Sequence, residues 1–232
     1  MAGVINFIPP MNIQLKVLLE KYPDLHIKSH NTDEIYIEGK ILVCREAENF
    51  ILKKEYELAI IVPQHSDKLP HVIESADQID QDYHHRYTNG MLCLDTDSSI
   101  RLRFFDGFNL LQWMIEYVEV YFFSYEYYQR YLTFPFGERA HGIEGILQTY
   151  QDILGTANYK QTYLIMEHIA TKEYRGHQLC PCGSDLKTRK CHGTHIIDFY
   201  INPIKHKIIS DDYVEIKKDL QDVKRRNSQQ TK

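Results

Sequence analysis

No apolar run in the sequence reaches the length of a membrane-spanning helix; the stretch Val118 to Phe123 is short and contains Glu119. Met1 to Pro10 has neither a basic leader nor a long apolar core, which excludes a secretory signal of ordinary form there. An excess of basic charge is also missing. The formal net charge is −5 with His neutral, which argues against a general nucleic-acid binder. There is no internal repeat, no low-complexity tract and no ATP-binding signature. These absences lead us to expect a cytoplasmic protein with no membrane contact and no direct nucleic-acid contact.

The 232 residues, 43% of them hydrophobic, allow one large domain, or one domain with an appendage, around a real core. Aromatic residues are plentiful, with 17 Tyr and 10 Phe. Many of the tyrosines suit a half-exposed face or an interface, although core packing is the ordinary fate of any one of them. Cysteine is sparse and unevenly placed. Of Cys44, Cys93, Cys180, Cys182 and Cys191, three fall within twelve residues, a pattern of metal binding rather than of disulfides.

Periodicity predicts a short amphipathic helix over 11–22, bounded by Pro9, Pro10 and Pro23. Strands follow at about 25–30, 34–44 and 50–62, with turns at Asn31-Thr32-Asp33 and Glu46-Ala47-Glu48-Asn49. In the second strand Ile35, Ile37, Ile41 and Val43 share one parity around Gly39. A fourth short strand is expected at 69–74, with Pro70 at its mouth. Such a four-stranded antiparallel meander needs a covered face, and the first helix and a later one are expected to cover it. Residues 75–92 form a long polar stretch of the kind that is usually functional or mobile. Arg101-Leu102-Arg103-Phe104-Phe105 reads as a brief strand or an extended crossing. Asn109 caps a helix from Leu110 to about Leu132, roughly 35 Å long. Two helices are expected over 143–154 and 161–170, separated by Gly155 and Asn158, and a last one over 211–226 with a solvated basic end. The domains are drawn as 1–172 and 173–232.

Two constellations carry chemistry. The first is the segment Tyr83 to Asp95, where Asn89-Gly90 can bend the chain and present Cys93 at a sheet edge. A thiol that accepts an acyl group needs room, a lowered pKa and donors for an oxyanion; His84, His85, Thr88 and Asn89 are candidates to supply them. Asp95, two residues on, can polarise or desolvate an attacking amine, or be a surface carboxylate. A buried Leu92-Cys93-Leu94 core segment is the plain alternative. The second constellation is Cys180-Pro181-Cys182-Gly183-Ser184-Asp185 followed by Cys191-His192-Gly193. Three thiols and one imidazole make the closed tetrahedral set of structural zinc. His195 is a further candidate, as a second-shell group or substitute ligand. A redox pair, Cys180 with Cys182, is a poor fit to the usual two-residue spacing.

The second constellation closely resembles the SEC-C motif, a short zinc-binding module whose pattern is CPCGSG, a basic-rich spacer, then CC or CH and often Gly. Cys180, Pro181, Cys182, Gly183, Ser184, Cys191, His192 and Gly193 match it; Asp185 stands where that family usually has Gly. Residues 1 to about 135 resemble the ubiquitin-conjugating (E2-like) fold: an N-terminal helix, a four-stranded meander, a long loop with the active cysteine, then helices. Gly90-Met91-Leu92-Cys93-Leu94-Asp95 resembles that family's G-x-I-C-L-D, and Pro63 and Pro70 its proline-marked crossing. The resemblance implies a thioester at Cys93 with the C-terminal glycine of a protein. The family's His-Pro-Asn is missing: His84-His85-Arg86 stands in the comparable region, so His85 or Asn89 would hold the oxyanion.

The two motifs together resemble the E2-like proteins of bacterial CBASS antiphage operons. That resemblance implies an α+β fold, structural Zn2+, a cGAS-like nucleotidyltransferase as partner through its C-terminal tail, and target-protein lysines as acceptors. Oligomeric state is left open, a homo-oligomer included. An inactive scaffold that binds and regulates a partner, and a cysteine hydrolase using Cys93 with His84 or His85, are the rival readings.

Overall fold

Asn31 Oδ1 accepts the N–H groups of Asp33 at 2.8 Å and Glu34 at 2.9 Å, and so turns the chain back on itself between two alternating segments. The computed structural model describes residues 9–47, 49–64 and 68–230, with backbone alone for 224 and 227–230. In chain order the helices and strands are α1 (Met11–Lys21), β1 (Leu25–His30), β2 (Glu34–Ala47), β3 (Phe50–Pro63), β4 (His71–Glu74), α2 (Asp97–Arg103), α3 (Leu110–Trp113), α4 (Glu119–Tyr131), α5 (Gly142–Leu154), α6 (Tyr159–Thr171), α7 (Gly193–Ile201) and α8 (Pro203–Gln230). A π-helical turn, Met114–Val118, joins α3 to α4, and a 3₁₀ turn, Thr188–Lys190, precedes α7. Glu48 of the second expected turn, and residues 1–8 of the stretch read for a leader, lie outside the described residues. Among the described residues no helix is long and apolar enough to cross a membrane.

The architecture is α+β, with one antiparallel sheet in the order β1-β2-β3-β4. Two compact units divide the chain. The first takes the chain up to Asp95 and again over Gly107–Glu138; the second takes Thr96–Asp106 and the chain from Arg139 on. The division thus falls after Glu138 rather than between 172 and 173.

In the first unit, the expected parity of β2 is met: Ile35, Ile37, Ile41 and Val43 are all buried. Their β3 partners Val62, Ile60 and Tyr56, opposite Ile35, Ile37 and Ile41, are buried too. Helix α4 crosses β2 and β3, while α1 packs against α3. Gln14 makes the second contact specific: buried on α1, it accepts the Leu110 N–H at 2.8 Å and donates to the Pro9 carbonyl at 2.9 Å. Tyr56 stacks on Phe122 at 4.0 Å between ring centroids. The π-helical turn leaves the Ile115 carbonyl to Arg45 Nη1 at 2.7 Å, and the same guanidinium reaches Glu119 at 3.2 Å. Tyr22 donates to the other Glu119 oxygen at 2.7 Å, so the buried carboxylate has a partner on each side.

In the second unit, α2 replaces the strand or extended crossing expected at Arg101–Phe105. Thr96 Oγ1 caps it by accepting the Ser99 N–H at 3.2 Å, and Ile100 and Leu102 are buried. Leu102 belongs to the core formed by α5, α6, α7 and α8, so tertiary packing overrides the local alternation. Helices α5 and α6 form a hairpin, with Gly155 in the left-handed region at φ +67 ending one and Asn158 capping the other. The last helix starts earlier than expected. Pro203 is its first residue, and Asn202 Oδ1 accepts from Ile204 at 3.0 Å and Lys205 at 3.1 Å.

Gly39 carries the sharpest steric demand in the sheet. Its φ is +139, and a Cβ there would lie 2.1 Å from the Asp24 carbonyl oxygen. Gly39→Ala is expected to lose about 2–4 kcal/mol of stability, through strain and through separation of β1 from β2. Urea unfolding checks this, since a midpoint unchanged from wild type contradicts it.

Candidate functional site

The zinc-type constellation is built on a small hairpin in the second unit. Leu179 and Lys187 pair across it, Cys180 N–H donates to the Leu186 carbonyl at 2.7 Å, and Gly183 N–H returns to Cys180 O at 3.1 Å. Gly183 sits at φ +82 with nothing within 4 Å of a would-be Cβ, so conformation rather than space requires glycine. Asp185 follows at φ +59, also in the left-handed region. This is a physical reason for a glycine at that place, and Asp is among the few other residues that tolerate it. Gly193 answers a close approach instead, for a Cβ would lie 2.7 Å from Thr188 O.

These turns bring Cys180, Cys182, Cys191 and His192 together, with all four candidate donor atoms within 4.8 Å of one another. Cys180 Sγ lies 3.4 Å from His192 Nδ1, Cys191 Sγ lies 3.1 Å from the same nitrogen, and Cys182 Sγ lies 3.6 Å from Cys191 Sγ. A tetrahedral zinc, with bonds of about 2.0–2.3 Å, holds its ligands roughly 3.4–3.8 Å apart, so the donor set fits the ion. In the metal-free state, burial pushes the Cys180 thiol up to about 11. A bound cation would favour its thiolate form. Four protein donors would close the coordination shell of an ion held there, which suits a structural one. His195 is not part of it: its Nδ1 faces the Ile153 carbonyl at 2.9 Å, at the end of α5.

The thiol constellation lies in the first unit. The long polar stretch after β4 is ordered by charge. Buried Glu74 accepts the N–H groups of Ala76 at 2.7 Å and Gln78 at 2.9 Å, and Arg86 reaches the Ile79 carbonyl at 3.0 Å. The chain then doubles back in a tight loop, where Gly90 N–H donates to Tyr87 O and Tyr87 N–H to Met91 O. The Asn89 side chain accepts the Met91 N–H at 3.1 Å, so it shapes this turn. Leu92 N–H bonds the Val72 carbonyl of β4 at 2.9 Å, and Cys93 N–H bonds the His85 carbonyl at 2.7 Å.

Cys93 is half-buried rather than part of the core. The Tyr87 hydroxyl lies 3.4 Å from its sulfur, and a ring nitrogen of His85 lies within 4.8 Å. Of the other sequence candidates, His84 directs Nε2 to Glu138 Oε1 at 3.0 Å, and Asp95 is half-buried at the end of the segment. Three participants had gone unread in the sequence. Tyr87 faces the sulfur across the loop, Glu138 lies 3.6 Å from His85 Nε2, and the Tyr121 hydroxyl donates to the His85 carbonyl at 3.2 Å. The last two are far from Cys93 in sequence and have no local signature. Tyr87 could have been found from the Asn-Gly bend, which folds it back toward Cys93.

Comparison with protein-family models, with curated proteins and with solved structures yields no match. The conclusions about this chain therefore rest on its own residues: an α+β unit with a half-buried thiol, and a Cys3His cluster able to hold a metal.

The metal cluster makes two linked expectations. Cys182→Ser should lower bound zinc from about one ion per chain at this cluster toward none, while Asp185→Gly should retain it. Binding requires thiols to lose protons, so affinity should fall as pH falls, by at least about tenfold per pH unit below neutrality. Chelator competition at two pH values measures both; an affinity independent of pH contradicts thiolate ligation.

Proposed function

We propose that the first unit is a ubiquitin-conjugating-like cysteine acyltransferase, with Cys93 as the acceptor. The observation that carries this reading is the placement of Cys93. It is half-buried on an ordered loop pinned to β4, with the Tyr87 hydroxyl at 3.4 Å and a His85 ring nitrogen within 4.8 Å. In the proposed step the thiol proton passes to His85, and sulfur attacks the carbonyl of an activated C-terminal glycine. The sulfur–carbon bond forms, and the activating group departs with the electron pair of its bond to the acyl carbon. A lysine amine then attacks the thioester, the amide forms, and Cys93 sulfur leaves and regains a proton. The Tyr87 O–H is placed to hydrogen-bond the sulfur as charge develops on it.

The His-Pro-Asn of the resembled family is lacking, and the turn-forming contact of Asn89 leaves His85 as the favoured oxyanion donor, once protonated by the thiol. The chain carries no ATP-binding signature, so activation of the glycine comes from another protein. The combination of motifs points to a cGAS-like nucleotidyltransferase tail as the acyl donor and to a role in antiphage defence. The Cys3His element supports the fold of its own unit and takes no part in the transfer.

A second reading is a cysteine hydrolase. It is favoured by the contact of Glu138 with His85, which completes a nucleophile, base and orienting-carboxylate arrangement. Intact mass after co-expression with the partner cyclase separates the readings. Transfer predicts a reductant-sensitive adduct that disappears in Cys93→Ala and becomes a stable isopeptide in Cys93→Lys. His85→Gln should slow adduct formation by roughly 10²–10⁴-fold. An adduct persisting in Cys93→Ala rules out Cys93 as acceptor. Turnover of a small ester with no adduct favours hydrolysis, and neither adduct nor turnover leaves a binding scaffold.

A further inference from the structure

His84 and His85 are consecutive, yet both imidazoles turn to one carboxylate oxygen. His84 Nε2 lies 3.0 Å and His85 Nε2 3.6 Å from Glu138 Oε1, and the three donor atoms lie within 4.8 Å of one another. The arrangement is rigidly supported. Phe134 meets both imidazoles nearly edge-on, at ring-centroid distances of 5.6 and 5.5 Å, and Tyr83 packs on the same two rings at 4.9 and 5.5 Å. Tyr128 stacks on Phe134 at 4.8 Å and so backs that wall. The His85 backbone is anchored as well, its carbonyl accepting from Cys93 N–H at 2.7 Å and from Tyr121 at 3.2 Å.

The carboxylate arrives by a separate device. Phe134-Pro135-Phe136-Gly137 makes a turn in which Gly137 N–H returns to Phe134 O at 3.4 Å, with Pro second and Gly last as such turns favour. One turn therefore delivers both the Phe134 wall and the Glu138 ligand. Side-chain exposure is 14% for His85, 40% for His84 and 49% for Glu138, so the group opens to solvent on one side.

We propose that His84, His85 and Glu138 form a second metal site, taking a divalent first-row transition ion such as zinc. Two imidazole nitrogens and one carboxylate oxygen are the donors such ions prefer, and bonds of about 2.0–2.2 Å set tetrahedral ligands roughly 3.3–3.6 Å apart, close to the distances here. Three protein ligands leave a position for water or a substrate oxygen, in contrast to the closed Cys3His cluster. The aromatic walls hold both rings in place before the ion arrives, which lowers the entropic cost of binding it. The inference stands apart from acyl transfer at Cys93: an ion held on His85 Nε2 occupies the imidazole that would take the thiol proton, so the loaded site would hold transfer off rather than assist it.

The test counts zinc in the full-length chain after equilibration at micromolar free zinc and desalting, by elemental mass spectrometry. Wild type should carry about two ions per chain, and Glu138→Gln and His84→Gln about one, with unchanged thermal unfolding of the metal-free proteins. Cys182→Ser should lose the other ion and keep this one. About one zinc in wild type, or a second ion that both Glu138→Gln and His84→Gln retain, overturns the proposal. Should His84→Gln fold poorly, Glu138→Gln decides alone, since its carboxylate is half exposed and outside the core.

Discussion

The half-buried position of Cys93 depends on two backbone hydrogen bonds, from Leu92 N–H to Val72 and from Cys93 N–H to His85. One ties the loop to the sheet edge, and the other ties the thiol residue to its neighbouring histidine. Residues 75–92 would otherwise be free to carry the sulfur into solvent or into the core. A long polar stretch of this kind is usually mobile. Here it is ordered because Glu74, a buried carboxylate at the end of β4, accepts two N–H groups of its first turn, and because Arg86 reaches back to Ile79. Charge-assisted hydrogen bonds of that sort do for a polar loop what apolar contacts do for a strand.

The two units use different means to hold reactive groups. The C-terminal hairpin packs Cys180 and Cys182 into the apolar core of its unit. Its left-handed residues Gly183 and Asp185 set the backbone, and the converging donors call for a cation to balance the charge of ionised thiolates. The first unit surrounds its polar groups with aromatic rings. Tyr83, Tyr128 and Phe134 enclose His84 and His85, and burial raises the Tyr83 hydroxyl well above its usual pKa, so it stays a neutral phenol there. This accounts for a share of the chain's many tyrosines: they serve as walls with a polar tip, as well as core.

Local patterns were legible where one physical signal acted alone. The parity of Ile35, Ile37, Ile41 and Val43 foretold the buried face of β2, and Pro9-Pro10 and Pro23 bounded α1 within a residue. The Cys180, Cys182, Cys191 and His192 set was legible for the same reason, since ligand chemistry restricts both residue type and spacing. Reading failed where packing decided. The Arg101–Phe105 segment alternates like a strand but its first half becomes the end of a helix, because Leu102 is buried in a core of residues distant in sequence. The last helix, expected over 211–226, begins instead at Pro203 with Asn202 as cap and is the longest described helix.

By itself the sequence determined the meander, its buried parity, the helical stretches that became α4, α5 and α6, and the Cys3His donor set, because each follows from a short-range period or a ligand spacing. Only the tertiary structure decided what surrounds Cys93. Tyr87 reaches the sulfur across a loop closed by hydrogen bonds, and Glu138 reaches His84 and His85 from a turn more than fifty residues along the chain. Contacts made over such separations depend on where the sheet and its covering helix bring the backbone, which no local pattern of residues encodes.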